Sequence, residues 1–336
     1  MSDKRRARKA KQVRRDARRA KKRNVEGSTD TTLRDAIRRA LAGHPVELLT
    51  VASMAINVAK PKSLISVNSR CDPSRLDGIL TGLIGVRDRA TTALLAVIAE
   101  LLIDEPVLQL RCRRELTERG EHLPRWITAL PRVDVYRAVH RTNVFRDVDE
   151  LVIGMRLDGG HELTVAVQID HNMLSSVADA GVIPDPIDEA LARVAESSSD
   201  TDVFEMSPAD VRVWIEDALD KPTLTPKTDT WPLYRALVQW VVGRLPEGGE
   251  HRTSAGDWES DKELCDRFFA TSSGAPFTDS SHRELLLELF ETGTGDPLRW
   301  SAARVEQAIG GTPYLDDFIP LEVALDAPDL LGVFIP

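Results

Sequence analysis

Residues 150–170 read ELVIGMRLDGGHELTVAVQID, and this stretch decides how the middle of the chain folds. Two largely apolar runs, Glu150 to Leu157 and Glu162 to Ile169, flank Asp158-Gly159-Gly160. Runs of this length and composition are typical of β-strands, and glycine accepts the positive φ that a tight hairpin turn requires. The stretch therefore predicts an antiparallel β-hairpin.

The segments around the hairpin extend the prediction in both directions. Asp134 to Phe145 repeats with a period of two, which predicts a third strand and a three-stranded meander. After the hairpin we expect helices over Met173 to Ala180 and Ile187 to Ala195, then a short strand over Val203 to Met206. Ser207 and Pro208 next predict the start of another helix.

Apolar residues elsewhere follow a helical period. On the N-terminal side the pattern predicts helices over Leu33 to Leu41, Leu48 to Val58, Leu76 to Ile84, Thr91 to Leu102 and Val107 to Arg119. On the C-terminal side it predicts a helix capped by Thr230 and further helices over Leu264 to Ala270, Arg283 to Phe290, Ala302 to Ile309 and Leu321 to Leu331.

The predicted fold class is therefore α+β, predominantly helical, with a small antiparallel sheet made of the three-stranded meander and one short strand. The predicted organisation is a disordered basic tail and linker (1–30), a helical bundle region (31–130), an α+β domain around the hairpin (131–247) and a helical C-terminal region (248–336).

Charge is distributed very unevenly along the chain. The first 24 residues hold 13 Lys/Arg and only two acids, Asp3 and Asp16, whereas the whole chain has 44 Lys/Arg and 53 Asp/Glu. The remainder therefore has 31 basic and 51 acidic residues, so its net charge is −20 against +11 for the tail. Such asymmetry is typical of a polyanion-binding arm on a globular body.

The tail predicts a partner that carries many phosphates. Its like charges favour disorder in isolation, and counterion release makes phosphate binding strong at low salt and nearly independent of sequence. We expect RNA, the ribosome or DNA to contact Lys4, Arg5, Arg6, Arg8, Lys9, Lys11, Arg14, Arg15, Arg18, Arg19, Lys21, Lys22 and Arg23. A membrane is not expected, because the tail has no large apolar side chains for one face of an interfacial helix. Two other interpretations stay open: a solubilising extension, and a tail that contacts its own acidic body.

Several functional classes find no support in the sequence. The three cysteines are widely spaced, and the seven histidines show no spacing typical of a metal site, so neither a metal nor another cofactor is expected. Glycine-rich nucleotide-binding motifs and the nucleophile motif of serine hydrolases are missing. No apolar run is long enough for a membrane span, which predicts a cytoplasmic protein.

Asp170-His171-Asn172 is the one candidate site in the body of the chain. It stands at the end of the second hairpin strand, and a histidine there could act as a base near neutral pH. The alternative is structural: Asp170 or Asn172 caps the next helix and His171 packs at the corner.

Three segments together resemble a family of uncharacterised actinobacterial proteins. They run from Arg111-Cys-Arg-Arg-Glu-Leu to Leu123-Pro-Arg-Trp-Ile, over Leu163-Thr-Val-Ala-Val-Gln-Ile-Asp-His-Asn172, and over Thr230-Trp-Pro-Leu-Tyr-Arg-Ala-Leu-Val-Gln-Trp240. The resemblance covers about residues 33–336, excludes the tail, and implies no activity, ligand or fold.

The leading prediction is a non-enzymatic soluble protein that associates non-specifically with nucleic acid or ribosomes through its tail. One alternative is an enzyme or small-ligand-binding protein with its site at Asp170, His171 and Asn172. Another is a protein-interaction scaffold that uses its acidic surface.

Overall fold

The computed structural model describes residues 34–58, 73–195, 201–221, 228, 230–252, 258–277, 279–310 and 319–335. The predicted tail and linker, with the basic residues from Lys4 to Arg23, lie outside these ranges. Within them, no helix has the length and apolar character needed to cross a bilayer. The two described cysteines, Cys112 and Cys265, are buried and free.

The N-terminal part of the described chain is helical, as predicted. The helices are α1 (34–42), α2 (Pro45–Val58), α3 (Pro73–Ile84), α4 (Arg89–Leu101), α5 (Pro106–Arg119) and α6 (Arg125–Thr128). Nearly every side chain of α4 is buried, because this helix contacts α2, α3, α5 and a later helix, Trp231–Val242. Its first turn is closed by Asp88, whose carboxylate accepts a hydrogen bond from the Thr91 N–H at 2.8 Å.

An antiparallel sheet follows. Its strands are β1 (Asp134–Asn143), β2 (Val148–Leu157), β3 (His161–Asp170), β4 (Ser176–Ile183) and β5 (Thr201–Glu205), in the order β4-β3-β2-β1-β5. The predicted hairpin is confirmed: β2 pairs with β3, and the turn glycines Gly159 and Gly160 have φ of 101° and 83°. The predicted α+β class, mostly helical with a small antiparallel sheet, is also confirmed.

The sheet has five strands, where the sequence predicts a three-stranded meander plus one short strand. The difference is β4, because the helix predicted over Met173 to Ala180 is wrong. A short 3-10 turn, His171–Met173, leads instead into a strand that pairs along β3. Pairing satisfies the backbone of β4, and Val177 and Ala180 are buried in the core, so tertiary context outweighs the helix preference of alanine.

The sheet separates a large apolar layer from a small one. On one face α8 (Pro208–Asp220) and α9 (Trp231–Val242) join the N-terminal helices in the main core. On the other face α7 (Ile187–Ala195) forms a small cluster in which Ile187 contacts Val139 and Val152.

The starts of the two core helices differ. As predicted, Ser207 caps α8 by accepting a hydrogen bond from the Ala209 N–H. Thr230 does not cap α9, contrary to the prediction; its hydroxyl bonds to Asp179 Oδ1 at 2.6 Å.

The C-terminal helices have an apolar cluster of their own. They are α10 (Trp258–Phe269), α11 (Ser281–Phe290), α12 (Ala302–Gly310), α13 (Leu321–Ala324) and α14 (Ala327–Phe334), so the predicted Leu321 to Leu331 helix is divided in two. Their cluster runs from Cys265 to Leu331, whereas the main core runs from Ile37 to Leu245.

Candidate functional site

Buried polar side chains gather at one end of the sheet. The antiparallel register brings the end of β1, the start of β2, the end of β3 and the start of β4 together there. The buried polar or charged residues at this end are Arg141, Thr142, Asp147, Asp149, Asp170, His171, Asn172 and Ser176. Because buried polar groups are costly unless they are paired, such a concentration indicates either a structural network or a functional site.

Asp149 lies at the centre of this network. The strand β2 directs Asp149, Leu151 and Ile153 to the core face, so the carboxylate continues an otherwise apolar row. Its Oδ1 is 2.8 Å from His140 Nε2, and its Oδ2 is 2.8 Å from His171 Nε2. The guanidinium of Arg252 approaches from the segment after α9, with Nε 3.2 Å from Oδ2.

These contacts determine the charge of the carboxylate. Burial alone would raise the pKa of Asp149, but the hydrogen bonds with His140 and His171 and the charge of Arg252 outweigh it and hold the pKa well below its ordinary range. An ionised carboxylate only accepts hydrogen bonds, so both histidines donate from Nε2. A neutral histidine that donates from Nε2 carries its lone pair on Nδ1.

The two histidines use that lone pair differently. His171 is 2% exposed, and its Nδ1 is 2.9 Å from Ser175 Oγ, whose hydroxyl therefore donates to it. Burial lowers the pKa of His171 against the raising effect of Asp149, which keeps the ring neutral. No described residue contacts Nδ1 of His140 within hydrogen-bonding distance. That nitrogen is free to meet a ligand.

A cleft of about 300 Å³ opens beside His140 and Asp149. Its other lining residues come from the β1–β2 region, β5, α8, the segment after α9 and the loop between α11 and α12; they are Thr142, Arg146, Phe204, Trp214, Arg252, Thr294, Asp296 and Arg299. The lining holds three arginines and two acids, so it carries net positive charge within an acidic body. Pockets of this size at the meeting of separate structural units are common ligand sites.

The three arginines of the cleft differ in how far they are engaged. Arg299 donates from Nε to Asp296 Oδ2 at 2.9 Å and from NH1 to the Val144 carbonyl at 2.8 Å. Among the described residues, Arg252 pairs with Asp149, through Nε. Arg146 is exposed, and no acceptor for it occurs among the residues described. Two guanidinium groups therefore have N–H donors available at the cleft.

The backbone beside the site is strained. Arg146, Leu174 and Ser175 have φ of 57°, 59° and 55°, and they are the non-glycine residues with positive φ in the described part of the chain. Each such residue costs about 1–3 kcal/mol and persists only where surrounding contacts impose it. All three lie in the β1–β2 and β3–β4 connections, at the polar end of the sheet.

A buried arginine holds the α11–α12 loop in place through hydrogen bonds to backbone carbonyls. Arg304 is fully buried, and NH1 and NH2 donate to the carbonyls of Arg299 and Phe290 at 2.6 and 2.8 Å. The guanidinium also lies 4.0 Å from the Trp300 ring centroid. These bonds hold the loop that places Thr294, Asp296 and Arg299 at the cleft.

The predicted residues Asp170, His171 and Asn172 lie behind the cleft and not in its wall. Asp170 pairs with Val148 and Ser176 in the sheet, and the His171 N–H donates to the Asp147 carbonyl at 2.8 Å. Asn172 is buried against Gly293: a Cβ built on Gly293 would lie 2.8 Å from its Oδ1. Of the three residues, His171 alone contacts Asp149.

Sequence reasoning missed His140, Asp149 and Arg252. For Asp149, the available signal is that an acid occupies an inward position of an apolar strand. For His140, it is that the residue follows the inward Ala138 by two positions and so lies on the same face of the strand. Neither signal shows that the two side chains face each other or that Arg252 joins them. Over the described residues, no group of three or more His, Cys, Asp or Glu side chains is arranged to hold a metal ion.

Comparison of the chain with protein-family models, curated proteins and solved structures finds no match.

Proposed function

We propose that the protein binds the oxyanion of a small molecule in the cleft between the polar end of the sheet and the α11–α12 loop. The observation that carries this proposal is the pair of guanidinium groups, Arg146 and Arg252, that present N–H donors to the cleft without described acceptors. Arginine donors arranged in a fork match phosphate and carboxylate groups. The hydroxyls of Thr142 and Thr294 and the rings of Phe204 and Trp214 complete a polar and aromatic lining.

Titration calorimetry of the full chain with inorganic phosphate and with pyrophosphate tests the proposal. A charge-assisted hydrogen bond contributes about 1.5–3 kcal/mol, so Arg146→Gln should weaken binding about tenfold or more. Arg132→Gln is the matched control, because this exposed arginine lies just before the start of β1, at the end of the strand opposite to the cleft. The length of the strand places it about 30 Å from Arg146. The basic tail is present in both variants and contributes equally to each. Equal affinity in the two variants would reject the cleft as the binding site.

We also propose that the tail associates the protein with nucleic acid or ribosomes in the cytoplasm. The observation that favours this second function is the concentration of 13 Lys/Arg residues in the first 24 positions. Binding of RNA and DNA should weaken steeply with added salt, because each neutralised phosphate releases a counterion. Removal of residues 1–24 should abolish the binding, and unchanged binding after removal would contradict the proposal.

A further inference from the structure

We infer that the cleft hydrolyses a small phosphate monoester and that His140 is the general base for the attacking water. This inference rests on the oxyanion binding proposed above and adds a reaction to it. It depends on three features of the cleft. They are the lone pair of His140 Nδ1, the N–H groups of Arg146 and Arg252 that have no described acceptor, and the hydrogen bonds that the nearby hydroxyls already make.

His140 has the orientation of a general base. Its Nε2 donates to Asp149 Oδ1 at 2.8 Å, which leaves the lone pair on Nδ1, and its side chain is 15% exposed. The ring is held between Phe204, stacked at 5.9 Å, and Trp214, edge-on at 5.2 Å. An anionic carboxylate behind an imidazole fixes its tautomer and stabilises the imidazolium that forms when Nδ1 takes a proton. His171 cannot replace it, because its own Nδ1 is occupied by Ser175.

The charges around His140 suit phosphoryl transfer. Catalysis of that reaction consists mainly of positioning and of stabilising negative charge on the transferred group, which arginine does well. The charged or titratable groups that face the His140 side of the cleft are Asp149, Arg146, Arg252, Asp296 and Arg299. Arg252 offsets the charge of Asp149 and Arg299 offsets that of Asp296, so Arg146 leaves the cleft with a net positive charge.

Water is the nucleophile that the lining allows. The lining contains neither serine nor cysteine, and its hydroxyl groups belong to Thr142 and Thr294. Thr142 Oγ1 already donates to the Val148 carbonyl at 3.1 Å, and Thr294 Oγ1 accepts from the Asp296 N–H at 3.3 Å. A water molecule beside Nδ1 of His140 is activated without displacing either bond.

The reaction balances with water as the second reactant. The water oxygen forms a bond to phosphorus while one of its protons passes to Nδ1 of His140. The ester P–O bond breaks, and its electron pair leaves with the alcohol oxygen. That oxygen takes a proton from solvent, and His140 returns its own proton to solvent. The products are inorganic phosphate and an alcohol, and the aromatic wall of Phe204 and Trp214 favours an alcohol that is flat and apolar.

Hydrolysis of p-nitrophenyl phosphate by the full chain tests the inference. General-base catalysis typically contributes 10²–10⁴-fold, so His140→Gln should lower kcat by about that factor with little change in KM. Arg146→Gln should raise KM. His251→Gln is the matched control, because His251 is an exposed histidine paired with Asp217 outside the cleft.

The outcomes separate the two proposals. Inorganic phosphate should inhibit hydrolysis competitively, with an inhibition constant equal to its calorimetric Kd. Binding of phosphate without any hydrolysis, or a kcat that His140→Gln leaves unchanged, overturns the catalytic inference and leaves oxyanion binding standing. Failure of phosphate and pyrophosphate to bind overturns the oxyanion site itself. Thermal unfolding of each variant shows whether a lost rate reflects a lost fold.

Discussion

Replacement of Asp149 by alanine is the sharpest test of the network at the end of the sheet. The carboxylate is 1% exposed and accepts from His140 and His171, each at 2.8 Å, while Arg252 lies at 3.2 Å. Its removal leaves one buried positive charge and two histidine N–H groups without their acceptor. Removal of one partner from a buried ion pair costs about 3–5 kcal/mol, and we expect Asp149→Ala to lose that much free energy of unfolding.

A second contact between an aspartate and a histidine supplies the control. His251 Nδ1 is 2.7 Å from Asp217 Oδ2, but the two side chains are 75% and 47% exposed. Exposed pairs contribute about 0–1 kcal/mol, so Asp217→Ala should be nearly neutral. Urea unfolding followed by circular dichroism at pH 7.5 measures both variants. The stability loss of Asp149→Asn should lie between those of the two alanine variants, because the amide retains one acceptor oxygen for one of the two histidines.

The contrast between the two aspartates carries the argument. Because their histidine contacts are of nearly equal length, any difference in stability arises from burial and from the additional partners of Asp149. If Asp149→Ala loses less than about 1 kcal/mol, the network is not a stabilising unit, since breaking a buried pair is expected to cost several times that amount. The electrostatic description of the cleft would then be wrong as well.

Three further predictions concern neighbouring positions. Gly293→Ala should destabilise the protein by about 1–3 kcal/mol in urea unfolding, because φ is 62° and the added Cβ would lie 2.8 Å from Asn172 Oδ1 and 2.9 Å from Arg304 Cδ. Arg146→Gly should leave stability unchanged or higher, since glycine relieves a positive φ of 57°, yet should weaken phosphate binding; a large stability loss would show that the side chain is structural. Burial lowers the pKa of His171 in the folded protein, whereas the same histidine in the unfolded chain takes up a proton near pH 6.5. Because the unfolded chain binds this proton more readily, the free energy of unfolding should fall as the pH drops from about 7. His171→Gln should remove that part of the slope, and an unchanged slope between pH 8 and 5 would assign it to another group.

Local chemistry made the hairpin predictable. Gly159 and Gly160 between two apolar runs specify a tight turn, and the strands on either side are mostly buried, as expected for apolar runs. The strand β4 was not predictable in the same way. Its sequence from Ser176 to Ile183 has a weak period and two alanines, and it becomes a strand because β3 offers an unpaired edge.

The candidate site was predictable only in part, for a related reason. His171 follows the end of a strand, and this position alone makes it a candidate site residue in the sequence. Asp149 and His140 lie inside strands, where a polar residue resembles any solvent-facing position until the register shows that it points inward. Arg252 reaches the same carboxylate from a distant part of the chain, and no local pattern encodes that contact.

The separate apolar clusters give the cleft a thermodynamic role. The main core and the C-terminal cluster share no apolar seam among the described residues. The hydrogen bond from Arg299 to the Val144 carbonyl and the close packing of Asn172 against Gly293 join them. A ligand that forms hydrogen bonds with Arg252 on one side and Arg299 on the other would connect the part of the chain around the main core with the part around the C-terminal cluster. Thermal unfolding of the ligand-free protein would then show two calorimetric transitions, and a saturating ligand would merge them into one. The cooperativity of unfolding would therefore report whether a ligand is bound in the cleft.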